Sequence, residues 1–433
     1  MLRAIFLYGL VVIAVITALF RPFSGLLFYQ WFSFGRPGDF LWPQFIIDYE
    51  VWIAGATLLS YMLMETGRSP IRLTGMKLLL VFWFWLALTS LTAQIPMIAF
   101  PKLWEYSRIF IMAFLTGALA NSEKRIRSIL YVLAISLGFL GAKGAYDAIT
   151  TGFANSMKGP GGMMSEQNEY ALALNMGIPI LAWLGEDSPN WWIKWSFRGM
   201  AAGCAIVVVG TRSRSGLLGL IMAGLVLAAF SKRKVLLGIA VVVGVVLLLL
   251  FGPQGALTRY KTIPTATQTD ASAIARLHSW KAAIRMTKAH PVVGVGLRNF
   301  IYVFSQYSTD EPHVAHNAIF ELLSETGVPG CAIFLAMIVA AIWEMFFLRL
   351  KARGQPETRH LAMFCQIVFG VLVVYLVPNM FINRQDFDLM YQLIAVEAGL
   401  AILVKQKLAE KHAETAVVVE AEMPLWLRAQ REA

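Results

Sequence analysis

Four of the chain's six histidines, His278, His290, His313 and His316, fall within residues 252–327, beside Arg276, Arg285 and Arg298. An imidazole with the usual pKa of about 6.5 is largely neutral in the physiological range and can take a proton from a hydroxyl. His316 and Asn317 stand at the start of a short helical pattern. Ile319, Phe320 and Leu323 would anchor that helix, and Gly327, Pro329 and Gly330 would end it. This placement suits a base at His316, with Asn317 and His313 as accessory groups. The plainer alternative is a histidine that only caps the helix. His313 and His316 with Asp310 and Glu311 could also meet a metal, but their spacing fits no strong zinc signature. No metal and no other cofactor is expected.

Arginines supply the second chemistry. Residues 210–216 read Gly-Thr-Arg-Ser-Arg-Ser-Gly, so Arg212 and Arg214 share one short turn between apolar runs. A charge at the end of a membrane span is costly unless it snorkels or finds a partner. Arg276 in the polar stretch and Arg384 in the last turn on the same side would complete a cationic patch. The planar guanidinium fork suits a phosphate or diphosphate. For any one arginine, snorkelling to lipid phosphates is the simpler alternative. Lys102 and Arg108 either extend the patch or anchor to lipid. Residues 271–290 have helical spacing, with Ile274, Leu277, Trp280 and Ile284 on one stripe and Arg276 one turn before Trp280. The Gly294-Val-Gly296 that follows Pro291 lacks the strand–helix context of a nucleotide loop and reads as a tight turn.

These groups need a scaffold, and the rest of the chain is apolar. The 433 residues are 58% hydrophobic, with a mean hydropathy of +0.63. Runs long enough to cross a bilayer lie at 4–20, 76–96, 105–121, 127–146, 196–210, 214–231, 234–252, 330–348, 361–381 and 387–404. Segments 49–64 and 168–186 are weaker. The pattern predicts an all-α polytopic membrane protein of about twelve spans. Residues 23–34 are too short to cross alone and read as interfacial or re-entrant. The expected divisions are a bundle over 1–251, an outer loop over 252–329 carrying the site, further spans over 330–404, and a tail over 405–433.

Lys/Arg clusters at 68–77, 124–127, 194–198, 232–234 and 349–353 fall on alternate loops. The positive-inside rule then puts both termini in the cytoplasm and the large loop outside. The net charge of +11 fits those loops and anionic lipid, and no nucleic-acid partner is expected. Cys204, Cys331 and Cys365 lie in or beside apolar runs and read as small core residues. The N-terminal run has no small-residue cleavage site after it and reads as a first span. Asp48 and Glu50 could pair on a divalent metal, but a chance pair at a span boundary explains them too.

A family resemblance gathers these features. The chain has many spans and the Ser213-Arg214-Ser215 turn. Its large loop contains Arg276-x-x-x-Trp280 and Pro291-x-x-Gly294-x-Gly296-x-x-x-Phe300. His316-Asn317-x-x-x-Glu321-x-x-x-Glu325-x-Gly327-x-x-Gly330 follows. The whole resembles the O-antigen ligases and the wider ligase/polymerase superfamily of bacterial surface polysaccharides. The resemblance implies a glycosyltransferase-C-like helical bundle in the bacterial inner membrane with its site facing the periplasm. It implies glycan transfer from a polyprenyl diphosphate donor to a lipid A–core acceptor, with inversion and without metal. His316 would be the base, and Arg214 and Arg276 would hold the diphosphate; Arg212 matches less well, since the motif fixes one arginine. An O-antigen polymerase or a protein O-oligosaccharyltransferase would use similar parts. A lipid-linked sugar transporter is a different class, and it should place ionisable groups near the membrane midplane.

Overall fold

The computed structural model describes residues 2–40, 48–65, 74–154, 156–232 and 271–422, with short pieces of 234–244. The expected span at 234–252, the first part of the large loop and the end of the tail lie outside the described residues. Among the described residues the chain is helical and has no strand. Five of the described helices are long and apolar enough to cross a membrane. Large apolar side chains such as Phe6, Leu63, Phe84 and Trp192 stay exposed. In a protein of this composition that marks lipid-facing surface. The molecule is a multi-pass membrane protein.

The first helices are α1 (Leu2–Phe20), α2 (Pro22–Gly35), α3 (Tyr49–Met64), α4 (Thr74–Leu91), α5 (Pro96–Leu119) and α6 (Glu123–Thr150). Then follow α7 (Gln167–Asp187), α8 (Trp191–Gly210) and α9 (Arg214–Phe230). Beyond the polar stretch come α10 (Ala271–Ala289), α11 (Ala318–Arg353), α12 (Arg359–Asn379) and α13 (Asp388–Glu422). α7 is buried along most of its length and packs against α6, α8, α9 and α12. It forms the centre of the bundle, although its sequence pattern is one of the weaker runs.

Residues 23–34 do not lie on a surface. α2 packs against α3 and α6, and Leu26, Gln30 and Phe32 are fully buried. A break at Arg21 turns the chain so sharply that a Cβ on Gly25 would sit 2.6 Å from that of Ala18. Close approach between helices is what a glycine permits here.

Ion pairs sort the helix ends into two groups. Arg125–Glu65, Arg127–Asp187 and His360–Glu123 join loops at one end. Arg36–Glu50, Lys102–Asp386 and Arg384–Glu169 join loops at the other. The N-termini of α3, α7 and α13 lie at this second end, whose pairs involve Glu50, Glu169 and Asp386. Helix N-termini carry unsatisfied N–H groups and partial positive charge, which favours anions.

Candidate active site

The helix that opens at His316-Asn317 is well capped. Asn317 is the N-cap of α11, and its Oδ1 accepts from the backbone N–H groups of Ile319 (2.9 Å) and Phe320 (3.2 Å). Its Nδ2 donates to the Met380 carbonyl at 2.8 Å. Asn317 therefore both starts the helix and ties it to the turn that carries Arg384. The cap alternative belongs to Asn317, which leaves the neighbouring imidazole to other duties. His316 has φ +46°, a left-handed conformation that costs a non-glycine residue about 1–2 kcal/mol. The surrounding contacts must impose it.

Those contacts come from α10. Trp280 Nε1 donates to the Ala315 carbonyl at 2.8 Å, and the indole stacks on Phe320 with centroids 5.2 Å apart. Ser279 Oγ donates to the His313 carbonyl at 3.3 Å. The two bonds grip the backbone on both sides of Val314. Arg276 lies one turn before Trp280, which brings its charge to the imidazole. Burial first, then Arg276 and His313, push the His316 pKa down to about 4. At neutral pH the imidazole is thus an uncharged base beside a guanidinium.

The face that α10 buries differs from the expected stripe. Ser279, Ala282, Ala283 and Met286 are buried against Val295, Phe300, Phe304 and Ala315, whereas Ile284 is exposed. Small side chains let the helix lie close on the loop, so close packing rather than bulk sets its orientation. The Pro291–Gly296 segment runs along the start of α11. Val295 N–H donates to Ser324 O (2.8 Å), Gly296 N–H to Glu325 O (3.0 Å), and Val328 N–H to Pro291 O (2.9 Å). Gly327 has φ +70°, and a Cβ there would lie 2.0 Å from the Val292 carbonyl oxygen. This break divides α11 into the expected short helix and the span that follows.

The other arginines take different places. Ser213 caps α9, accepting from Gly216 N–H at 3.0 Å and donating to Asn168 Oδ1 at 2.7 Å. Arg214 is the first residue of that helix, at its positive end. Arg212, in a left-handed turn, donates to the carbonyls of Phe153 (2.7 Å) and Ala154 (3.2 Å). Its guanidinium fastens the loop after α6. Arg384 is half-buried, with Nε 3.3 Å from Glu169 Oε1 and a second nitrogen 3.6 Å from Asp386 Oδ2. Lys102 Nζ lies 2.7 Å from both Glu105 and Asp386. Burial raises the Asp386 pKa, but Lys102 and Arg384 outweigh it and hold the carboxyl below its ordinary range. Lys102 and Arg384 are therefore parts of one charge lock, and lipid anchoring describes neither.

His278 Nδ1 lies 2.7 Å from Asp310 Oδ1. With Ser308, it holds that exposed carboxyl below its usual value. Asp48 pairs with Arg108 at 2.9 Å and Glu50 with Arg36 at 2.7 Å. Among the described residues no three His, Cys, Asp or Glu side chains are placed to hold a metal. Reasoning from the sequence missed the acids of the lock. The pairing of Lys102 with Asp386, 284 positions apart, left no signal in the sequence.

Residues 199–335 match the family model described as O-antigen ligase. The match supports an O-antigen ligase family assignment. The matched segment contains the Ser213-Arg214 turn, Arg276 and His316. Members of this family are glycosyltransferase-like enzymes of surface polysaccharide assembly. A second family model, for a family of unknown function, matches residues 2–188. No curated protein matches the chain. Lys102 and Glu169, which pair with Asp386 and Arg384 of the turn before α13, come from the second region.

Proposed function

We propose that the protein is an O-antigen ligase, which moves a glycan from polyprenyl diphosphate to a hydroxyl of lipid A–core oligosaccharide. The reaction takes place at the periplasmic face of a bacterial inner membrane, in a glycosyltransferase-C-like bundle of about twelve spans. The observation that carries this reading is the neutral His316 imidazole held beside Arg276 within the O-antigen ligase segment.

His316 accepts the proton of the acceptor hydroxyl. That oxygen attacks the anomeric carbon and forms the new glycosidic bond with inversion, while the bond from that carbon to the diphosphate oxygen breaks. Arg276 and Arg214, with the N-terminus of α9, receive the negative charge on the departing diphosphate. A positioned base contributes about 10²–10⁴ in rate; stabilisation of the leaving group supplies the remainder. Arg212 acts from behind by fixing the loop after α6, and Asn317 positions His316. The fixed cations do the work that a divalent ion would do, so transfer should be unchanged in EDTA.

The test is transfer by the purified protein in detergent, with a polyprenyl diphosphate glycan and lipid A–core. His316→Ala should fold with an unchanged melting temperature and lose transfer by about 10² or more. Full activity in that variant would sink the mechanism. Longer glycans on the polyprenyl carrier, with none on lipid A–core, would assign the protein to polymerisation.

A further inference from the structure

A cavity of about 880 Å³ opens under the loop at 298–302 and the first turns of α3, α5 and α11. That is the size of sites that enclose a small ligand. Val314, two residues before His316, lines one end of it. Its other end descends past Gly55 and Leu58 of α3 and Met112 of α5. A Cβ on Gly55 would meet nothing within 4 Å.

The wall chemistry is unlike that around Arg276. Seven carboxylates and five cations line the cavity among the described residues. Each of those cations is already engaged. Arg36 is held by Asp39 and Glu50, Lys102 by Glu105 and Asp386, and Arg108 by Asp48. Arg298 faces Glu105, and Arg384 is held by Glu169 and Asp386. A phosphate entering here would meet committed cations and surplus acid. The walls instead need hydrogen-bond donors. Gln385 and Asp386 are 4% and 7% exposed, and Gln385 Oε1 and Asp386 Oδ1 have no partner among the described residues. Buried acceptors of this kind are costly until a donor reaches them. Trp104 and Tyr302 also line the cavity and keep most of their surface exposed. A flat aromatic face with a polar edge suits the C–H face of a sugar ring.

The cavity draws on both family regions. Its walls from α2, α3 and α5 fall within 2–188, whereas Tyr302, Val314, Glu321 and Glu325 fall within 199–335 with Arg214, Arg276 and His316.

We propose that this cavity seats the saccharide of the acceptor, over a stretch that carries no phosphate. The inference rests on the reading of Arg214, Arg276 and His316 as the donor side.

Binding to the intact protein in detergent, followed by calorimetry, tests it. The probes are a core oligosaccharide released from lipid A and the same oligosaccharide after chemical dephosphorylation. The dephosphorylated form should bind about fivefold tighter or more. Trp104→Ala and Tyr302→Ala, both at exposed rings, should each weaken it about tenfold. Both variants should bind undecaprenyl diphosphate as wild type does. Equal or tighter binding of the phosphorylated form, no binding of either form, or variants that bind the sugar normally would overturn the proposal. Arg276→Ala is run beside them. If it keeps full affinity for undecaprenyl diphosphate, the donor reading fails, whatever the oligosaccharide results show about the cavity.

Discussion

At the residue scale the decisive group is His316, and its charge state sets a pH signature. Its pKa is pushed down to about 4 by burial, Arg276 and His313. A lowered value means that the free enzyme holds the neutral base above that pH and loses it as the pH falls through about 4. The acid limb of kcat/KM for the donor should therefore lie near pH 4, well below an ordinary histidine limb. Bound diphosphate places negative charge against Arg276 and offsets its effect, so the limb of kcat should lie higher than that of kcat/KM. A kcat/KM limb at or above the ordinary histidine value would refute this. The same sign applies to stability. The unfolded chain binds the His316 proton more readily, so this residue destabilises the fold as the pH drops below its unfolded value. The candidate base was legible in the sequence, since an imidazole at a helix start is visible as a pattern. It could not disclose the left-handed backbone or the lowered pKa, because both come from α10, which is distant in the chain.

At the scale of elements, α10 and the start of α11 act as a unit. The four-residue step from Arg276 to Trp280 is legible as one helical turn. What the turn faces is not, because the bond from Trp280 to Ala315 crosses 35 positions. Trp280→Phe keeps the stack on Phe320 and removes the indole donor, leaving the Ala315 carbonyl short of a partner. The expected cost is about 1–2 kcal/mol. It should appear as a lower kcat with the KM for the donor unchanged, since His316 moves while the arginines stay. An equal loss in Trp280→Ala and no loss in Trp280→Phe would assign the role to packing alone. Gly327 shows the same limit of sequence reading. The pattern marks a helix end there and the fold breaks α11 at that residue, but the pattern does not disclose the glycine's close approach to the Val292 carbonyl. Gly327→Ala combines an unfavourable φ with a backbone clash and should cost about 3 kcal/mol or more. A melting temperature within a degree of wild type would contradict that account.

At the scale of the whole molecule, apolar periodicity and the alternation of basic loops make the helices and their order legible. Their lateral arrangement depends on buried polar pairs that periodicity does not encode. α7 illustrates this: its pattern is weak because buried polar residues such as Asn175 interrupt it, and Asn175 Nδ2 donates to the Gly216 carbonyl of α9 at 2.8 Å. The lock of Lys102, Asp386, Arg384 and Glu169 does the corresponding work at one end of the bundle, joining α5 and α7 to the turn before α13. Its members are buried enough that removing one leaves its partner uncompensated, which costs more than the pair itself contributes. Lys102→Met should therefore lower stability by about 3 kcal/mol. Asp386→Asn in the same chain should restore much of the loss, because the orphaned carboxylate is then neutral. Thermal unfolding of the two single variants and the double variant gives the coupling directly. Additive losses would mean that Lys102 and Asp386 act independently, and the turn before α13 would then owe its position to the Asn317–Met380 bond and local packing.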